Sequence, residues 1–262
     1  MSEDRVSPRP VAVVTGSSRG IGRAIALELA GAGFDLALPM LDTDEADAVS
    51  VQRAVGEKGA AVLLLKSDLA EVKSHAATVE AIAAQFGRLD VLVNNAGVGA
   101  VVRGDFLDLT PENYDAVMNV NLKGTLFFTQ ACIKVMLRLG DKGSPRAIVT
   151  ISSASAGLAS PDRIDYCVSK AGLSMAMRGL TLRLAEEGIA VFEIRPGVIR
   201  TAMTAPVASK YDQRIADGLV PAGRWGQPED VATAVAGLLS GRFGFATGSI
   251  IAVDGGLTVP RL

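Results

Sequence analysis

Short, almost purely apolar runs alternate with longer amphipathic stretches from one end of this chain to the other. Strands that are apolar on both faces are typical of parallel sheets that helices cover on both sides. The alternation therefore predicts an α/β fold, a doubly wound (Rossmann) sheet of seven parallel strands with helices on both faces. The predicted strands are 11–16, 34–40, 61–66, 90–95, 146–152, 189–194 and 249–256.

The amphipathic stretches between these runs supply the predicted helices. Pro39 is expected at the end of the second strand, because proline has no N–H group for the interior of a sheet. No linker, repeat or low-complexity segment divides the chain, so we predict one domain over 10–262 after a flexible tail at 1–9. The predicted helices are 21–32, 43–58, 71–86, a long helical region from Pro111 to about Leu139, and 165–187.

The composition argues against several classes of protein. The formal net charge is −2 and the pI is about 5.6, so no broad basic surface is expected for nucleic acid. No apolar stretch reaches the length that spans a membrane. Cys132 and Cys167 lack metal-ligand spacing, which argues against a disulfide framework or a zinc site and favours a cytoplasmic compartment. His75 is the only histidine and is expected to face solvent, so no metal is expected.

A glycine-rich turn, TGSSRGIG, follows the first predicted strand and begins the first predicted helix. Gly16 would permit a tight turn, Gly20 would let the backbone approach a pyrophosphate, and Gly22 would let the helix pack closely on the strand. The spacing is G-x-x-x-G-x-G and differs from the general G-x-G-x-x-G pattern. A glycine-rich turn without a ligand is the alternative interpretation.

Tyr166 and Lys170 stand four positions apart in YCVSK, within a predicted helix. At this spacing the two side chains lie one above the other on one helical face. An ammonium group beside a phenol stabilises the phenolate, so the pair is suited to giving and taking a proton. Tyrosine and lysine are also common on helices, so the pair alone does not establish a catalytic role.

Four motifs in order resemble those of the short-chain dehydrogenase/reductase family. They are TGSSRGIG, NNAG at 94–97, YCVSK at 166–170 and RPGVIRT at 195–201, and the likeness spans residues 9 to 262. The WGQPEDVA and VDGG stretches are similar to those of 3-oxoacyl-[acyl-carrier-protein] reductase-like members. The resemblance implies hydride transfer between a nicotinamide and a carbonyl or secondary alcohol. The alternatives are a sugar, polyol or steroid alcohol dehydrogenase of the same family, and a protein that senses NAD(P)H without turnover.

The resemblance also implies catalytic roles for four residues. Tyr166 would be the general acid or base, and Lys170 would bind the nicotinamide ribose as well as support Tyr166. Ser153, thirteen residues before Tyr166, would position the substrate oxygen, and Asn121 would anchor a water for proton relay. From the residues alone, Ser152 and Ser155 are equivalent to Ser153, and Asn119 is a close alternative to Asn121. A hydrolase is a poor explanation, because the chain has no G-x-S-x-G elbow.

The choice between NAD and NADP depends on the end of the second strand. The position of the family's usual acid is occupied by Met40, Asp42 follows two residues later, and Arg19 is available for a 2′-phosphate. Asp42 could instead cap the helix predicted from Thr43. These residues lean slightly towards NADP. The implied cofactor-binding residues are Gly16, Ser18, Arg19, Gly20, Ile21, Gly22, Asp42, Asp68, Leu69, Asn94, Ala96, Gly97, Tyr166, Lys170, Pro196, Gly197, Ile199 and Thr201.

Residues 202–223 interrupt the strand–helix alternation and match the family's variable substrate lid. Apolar residues there, namely Met203, Val207, Tyr211 and Ile215, would cover a substrate or belong to the core. Lys134 and Arg138 could dock an acidic carrier protein, or could simply be solvated. The resemblance implies a homotetramer packed through the two long helices and the last strand, and Ala171, Ala176 and Gly179 would permit close helix packing.

Overall fold

The computed structural model describes residues 9–260, and within them one sheet of seven parallel strands is covered by helices on both faces. This confirms the predicted doubly wound fold. The strand order is β3-β2-β1-β4-β5-β6-β7. The strands are β1 Val11–Val14, β2 Asp35–Met40, β3 Val62–Lys66, β4 Val91–Asn94, β5 Arg146–Ile151, β6 Ile189–Pro196 and β7 Ile250–Val253.

Eight α-helices lie among the described residues, and several differ in their bounds from the prediction. The second begins at Ala46 rather than at residue 43, with Glu45 at its N-cap. The long helical region after Pro111 is interrupted by a π-helical segment at Asn119–Gly124. The helices are α1 Gly20–Gly31, α2 Ala46–Gly56, α3 His75–Phe86, α4 Pro111–Met118, α5 Thr125–Leu139, α6 Ile164–Leu184, α7 Ala208–Ala216 and α8 Pro228–Leu238.

The alternation of side chains along each strand divides the core into two layers. On β1, Ala12 and Val14 pack towards α1 and α8, while Val11 and Val13 pack towards the layer that contains Phe128 of α5. Both layers are fully buried at β1. Because all seven strands are parallel, their carboxyl ends lie at one edge of the sheet. The strand order reverses between β1 and β4, which is where doubly wound sheets bind ligands.

The predicted flexible tail lies outside the described residues except for Arg9, whose guanidinium donates to the carbonyls of Ala30 and Gly33 and faces Asp35 at 3.5 Å.

Pro39 lies inside β2, paired with Leu65, rather than at the strand's end. The sheet accepts it because β2 pairs with β1 only as far as Ala37.

Across residues 9–260, no helix combines the length and the apolar character needed to cross a membrane. In the same range, no three histidine, cysteine or carboxylate side chains come together in a way that would hold a metal ion.

Candidate active site

The glycine turn links β1 to α1 through two left-handed residues. Gly16 and Gly20 have φ of 65° and 57°, a conformation that side chains with a Cβ rarely adopt. A Cβ at Gly22 would clash with the carbonyl oxygen of Gly16 and with the amide of Asn95. At Gly16 and Gly22 neighbouring backbone leaves no room for a Cβ, whereas a Cβ at Gly20 would meet only the side chain of Thr201.

The NNAG segment after β4 packs directly against this turn. The backbone N–H groups of Asn95 and Ala96 both donate to Thr15 Oγ1 at 3.0 Å, and Asn95 Nδ2 donates to the Gly16 carbonyl at 3.0 Å. Asn94, which the sequence assigned to the cofactor, is buried, and its amide donates to Thr129 and Thr150. The Asn94 side chain therefore links β4 to α5 and β5, while the Asn95 side chain bonds the glycine turn itself.

The turn provides a cradle that fits a pyrophosphate. Gly20 faces Thr201, because a Cβ at Gly20 would lie 3.6 Å from the methyl group of Thr201. Ser17 is fully buried, and its hydroxyl has no hydrogen-bond partner among the described residues. Arg19, the N-cap of α1, is exposed and forms no ion pair within the described part of the chain. Ser18 and Ile21 are half-buried beside it. The start of α1 thus combines free donors, a bare backbone and a cation, which suits an anionic group.

The predicted adenosine end lies beyond β2 and β3. Met40 is buried in the core with 4% exposure, so the position of the family's usual acid is apolar. Asp42 is exposed and accepts the backbone N–H of Asp44, so it caps a turn rather than α2. Asp68 is exposed and accepts the backbone N–H of Ala70, and the side chain of Leu69 is buried.

His75 lies under this adenosine end, and the prediction that it faces solvent was wrong. It is 2% exposed, its Nε2 is 3.1 Å from the carbonyl oxygen of Leu69, and its ring meets Phe128 edge to face. Burial lowers the pKa of His75 below its ordinary value. The polar sequence around His75 gave no sign that its own position faces the core.

Asn121 is held inside the π-helical segment between α4 and α5. Its Oδ1 accepts the N–H of Val98 at 2.8 Å, and its Nδ2 donates to the Val98 carbonyl and to Ser169. A Cβ at Gly97 would lie 3.1 Å from Asn121 Oδ1 and 3.5 Å from Lys170 Nζ. Asn121, Gly97 and Lys170 therefore surround one small space. Segments of π-helix are frequent at functional sites, and this one turns Asn121 inwards.

Tyr166 and Lys170 share the first turns of α6, as their spacing predicts. Lys170 is buried, its Nζ donates to the carbonyl of Ile151 at 3.3 Å, and it lies 5.8 Å from the centre of the Tyr166 ring. Arg163, which the sequence interpretation missed, lies 5.4 Å from the same ring. The half-buried phenol is therefore flanked by two cations.

The three serines after β5 differ in their hydrogen bonds. Ser152 is buried and donates to Glu193 at 2.6 Å, inside a network that also contains Arg195. Ser155 is buried, and its backbone N–H donates to Ser153 Oγ. Ser153 is half-buried and keeps its hydroxyl hydrogen for another acceptor. This geometry favours Ser153 as the serine that meets a substrate.

The segment after β6 closes the site from the other side. Pro196 ends β6 and is buried, and Gly197 packs against Asp254, where a Cβ would lie 2.7 Å from the Asp254 Cβ. Ile199 is buried in the core, and Thr201 reaches the glycine turn. The predicted cofactor segments, from the glycine turn to RPGVIRT, thus meet at one edge of the sheet.

The predicted lid packs as a small unit of its own. Ile215 is buried with Val220 and Trp225, and Tyr211 meets Trp225 edge to face. Trp225 Nε1 donates to Asp212 at 2.6 Å. Met203 is 54% exposed, while Val207 is half-buried. The four apolar residues of the lid are therefore divided between a local cluster and the surface.

The two cations suggested to dock a carrier protein both contact other side chains of this chain. Arg138 forms a two-bond ion pair with Glu80, at 2.7 Å for each bond. Lys134 contacts Gln130 at 3.3 Å on an exposed face.

Comparison with known proteins extends over nearly the whole chain. A short-chain dehydrogenase/reductase family model described as Enoyl-(Acyl carrier protein) reductase matches residues 16–258. A solved 3-oxoacyl-[acyl-carrier protein] reductase from Brucella melitensis in complex with NAD is 56% identical, with a TM-score of 0.94, and 98% of this chain and 100% of that chain are covered. Two curated relatives are each 34% identical over 94% of this chain. They are 2-dehydro-3-deoxy-D-gluconate 5-dehydrogenase from Dickeya dadantii, with 94% of its length covered, and 3-oxoacyl-[acyl-carrier-protein] reductase from Staphylococcus aureus, with 97% covered.

Proposed function

This chain belongs to the short-chain dehydrogenase/reductase family and is an oxidoreductase of that family, and from this premise we propose that it reduces a 3-oxoacyl thioester-like substrate with a nicotinamide cofactor. The observation that carries the proposal is the joint placement of Tyr166, buried Lys170 and half-buried Ser153 at the edge of the sheet that holds the glycine turn. A protein that only senses NAD(P)H would need the glycine turn but not this set, and the relatives are named as dehydrogenases and reductases.

In the proposed reaction, Tyr166 donates a proton to the carbonyl oxygen of the substrate, or takes it back in the reverse direction. Lys170 stabilises the phenolate that remains, and its place is fixed by the bond from Nζ to Ile151. Ser153 donates its hydroxyl hydrogen to the same substrate oxygen and keeps it beside Tyr166. The nicotinamide, when bound, supplies or accepts the hydride at the substrate carbon.

The cofactor would lie across the glycine turn and the ends of β2, β4 and β6. The start of α1 and Ser17 suit its pyrophosphate, and the residues around Gly97 and Thr201 suit its nicotinamide end. We propose a slight preference for NADP, because Met40 provides no carboxylate and Arg19 is free for a 2′-phosphate. NAD is the alternative: Asp42 is exposed near the same place, and the Brucella melitensis reductase is described in complex with NAD.

The choice of an acyl substrate is supported by the loop after β4. Five large apolar side chains of this loop are exposed, Leu107 most of all at 87%. An exposed apolar group of this size is typical of a binding surface. A sugar or polyol is the alternative, favoured by the gluconate dehydrogenase among the relatives. The other four exposed apolar residues of the loop are Val98, Val101, Val102 and Phe106.

The proposal includes a homotetramer in the cytoplasm. Val168, Met175 and Leu182 repeat every seven residues on the exposed side of α6 and form an apolar stripe. Cys132 and Cys167 are both free thiols, which suits a reducing compartment. Size measurement in solution tests the assembly, and introducing a charge at Met175 should split it.

A paired experiment tests the proposed function. The purified protein is titrated with NADH and NADPH, and consumption of the reduced cofactor is then followed with acetoacetyl thioesters, while polyols, sugar acids and steroid alcohols are screened for oxidation. We expect reduction of the thioester to be the fastest reaction. The absence of binding of either cofactor would refute the proposal, and faster turnover of a polyol or sugar acid would replace the acyl substrate with the alternative.

A further inference from the structure

A small cavity lies at the start of α6, where its lining includes Asp165, the residue before Tyr166. Its volume is about 30 Å³, and it lies between the loop after β4, the first turn of α4 and residues 161–165. Arg163 contributes to its lining and also lies over the Tyr166 ring. The loop side of the cavity is joined to the α6 side by the bond from the Gly104 N–H to the Asp162 carbonyl. The cavity is large enough for one hydrogen-bonding group.

Asp165 lines this cavity, and one of its carboxylate oxygens has no hydrogen-bond partner among the described residues. The residue is 2% exposed, and its Oδ1 accepts the backbone N–H of Tyr166 at 2.7 Å. Its Oδ2 is buried and has no hydrogen-bond partner among residues 9–260. A buried carboxylate oxygen without a donor is costly, so this atom calls for an N–H or O–H group in the cavity.

The remaining walls decide what kind of molecule carries that donor. Val102, Phe106 and Leu109 are apolar and cover one side. Three further carboxylates line the cavity against the single cation Arg163, so the lining is acidic and disfavours a phosphate or carboxylate ligand. An uncharged donor on a partly apolar arm fits this lining. The three further carboxylates are Asp105, Asp108 and Asp162.

We infer that the cavity is a subsite for an uncharged N–H or O–H donor on the non-reacting arm of the substrate, with Asp165 Oδ2 as its acceptor. This inference rests on the proposed function, because it places the arm beside Tyr166. The donor is the amide N–H of a thioester arm if the substrate is acyl, and a second hydroxyl if it is a sugar or polyol. Both sources share the chemistry that Asp165 recognises.

Pairs of substrates that differ by one donor test the inference. The acetoacetyl thioester of N-acetylcysteamine carries an amide N–H, whereas its S-butyl counterpart carries none, and cyclohexane-1,2-diol is paired with cyclohexanol. Each pair is compared in the wild type, in Asp165→Asn and in the control Asp115→Asn, whose residue is exposed on α4 outside the cavity. The asparagine still accepts the Tyr166 N–H, but it turns an amide donor towards the cavity.

We expect the wild type and Asp115→Asn to prefer the donor-bearing member of one pair in kcat/KM by roughly tenfold or more, and Asp165→Asn to lose that preference. The pair that shows it identifies the source of the donor. No preference in the wild type, or an equal loss for both members in Asp165→Asn, would overturn the subsite.

A second measurement does not need turnover. The same compounds are added with reduced cofactor to Tyr166→Phe and to Tyr166→Phe/Asp165→Asn, and the shift in Tm is recorded. A larger shift with the donor-bearing compound that disappears in the double variant supports the subsite even if no substrate is turned over, an outcome that would refute only the proposed function. Equal shifts, or none, would refute the subsite.

Discussion

The glycine turn and the predicted lid both belong to the proposed site, yet they are built in opposite ways. At the turn, backbone meets backbone, and at Gly22 no Cβ fits. At the lid, Ile215, Val220 and Trp225 form a small separate cluster. A hydrogen bond from Trp225 to Asp212 connects helix α7 to this cluster. Met203 stands open to solvent on the same segment.

This difference explains why the reaction could be inferred from the sequence while the substrate remained open. A backbone packed at van der Waals distance allows only glycine, so the structure imposes a recognisable motif. A small apolar cluster with one polar fastening accepts many sequences of similar volume. We therefore expect the half of the site around the glycine turn (the cofactor half) and the half formed by residues 202–225 (the lid half) to respond to mutation in different ways.

The largest effect is expected at Tyr166. Tyr166→Phe should lower kcat by about 10³-fold or more, because the proton donor is lost, while the Kd for the cofactor stays nearly unchanged. Stopped assays give kcat, and cofactor fluorescence gives Kd. Lys170→Arg should also lose most of its activity, since a planar guanidinium cannot take the compact place of the ammonium beside Ile151. Substantial activity in Tyr166→Phe would remove the tyrosine from its assigned role.

The next largest effect is expected at the glycine turn. Gly22→Ala should destabilise the protein by about 2 kcal/mol or more and weaken cofactor binding, because the methyl group must displace the Gly16 carbonyl or Asn95. Gly56→Ala, at the end of α2, is the matched control: its Cβ would meet nothing within 4 Å, and its φ is not positive. Thermal unfolding with and without cofactor measures both. Equal stability of the two variants would show that the turn is looser than it appears.

The outcome of the sequence predictions follows the same division. The parallel sheet with helices on both faces follows from the alternation of apolar and amphipathic stretches, and the fold was predictable for that reason, while the grouping of the four motifs was implied by their resemblance to one family. The burial of His75 was not, because it depends on Phe128, which lies 53 positions away in the sequence. Nor could spacing distinguish Asn95 from Asn94, since the two point to opposite sides of one strand end. Arg163 and Asp165 carried no motif and became visible only through their positions around Tyr166.

A smaller and more selective effect is expected at the lid. Asp212→Asn should weaken the fastening of Trp225, and also the contact with Arg200 at 3.2 Å, so that closure over the substrate becomes less favourable. We expect KM for the substrate to rise by about three- to tenfold while cofactor affinity stays constant. Asp217→Asn, on the exposed end of the same segment, is the control. A change in cofactor affinity of the same size would mean that the lid and the cofactor half are not separate.

The smallest effect concerns the cofactor half alone and depends on pH. The folded state lowers the pKa of His75 below 6.5, so the buried ring is neutral where an unfolded chain would begin to take up a proton. The stability linked to His75 is therefore complete above about pH 6.5 and is lost as the pH falls below that value. This loss cannot exceed about 1.4 kcal/mol per pH unit. Urea unfolding at a series of pH values between 8 and 5 (roughly the window of histidine titration) measures it.

His75→Gln separates this contribution from that of the carboxylates, because glutamine can still donate to Leu69 but does not titrate. We expect the free energy of unfolding of the variant to fall less steeply on acidification, because the contribution of His75 is missing, while its stability at the alkaline end changes little. Since Leu69 lies at the predicted adenosine end, the cofactor's Kd should also rise on acidification in the wild type more than in the variant, whereas the substrate's KM should respond equally in both. Identical slopes in the two proteins would exclude His75 as the titrating group. A change in KM confined to the wild type would instead place its effect on the lid side and break the division between the two halves.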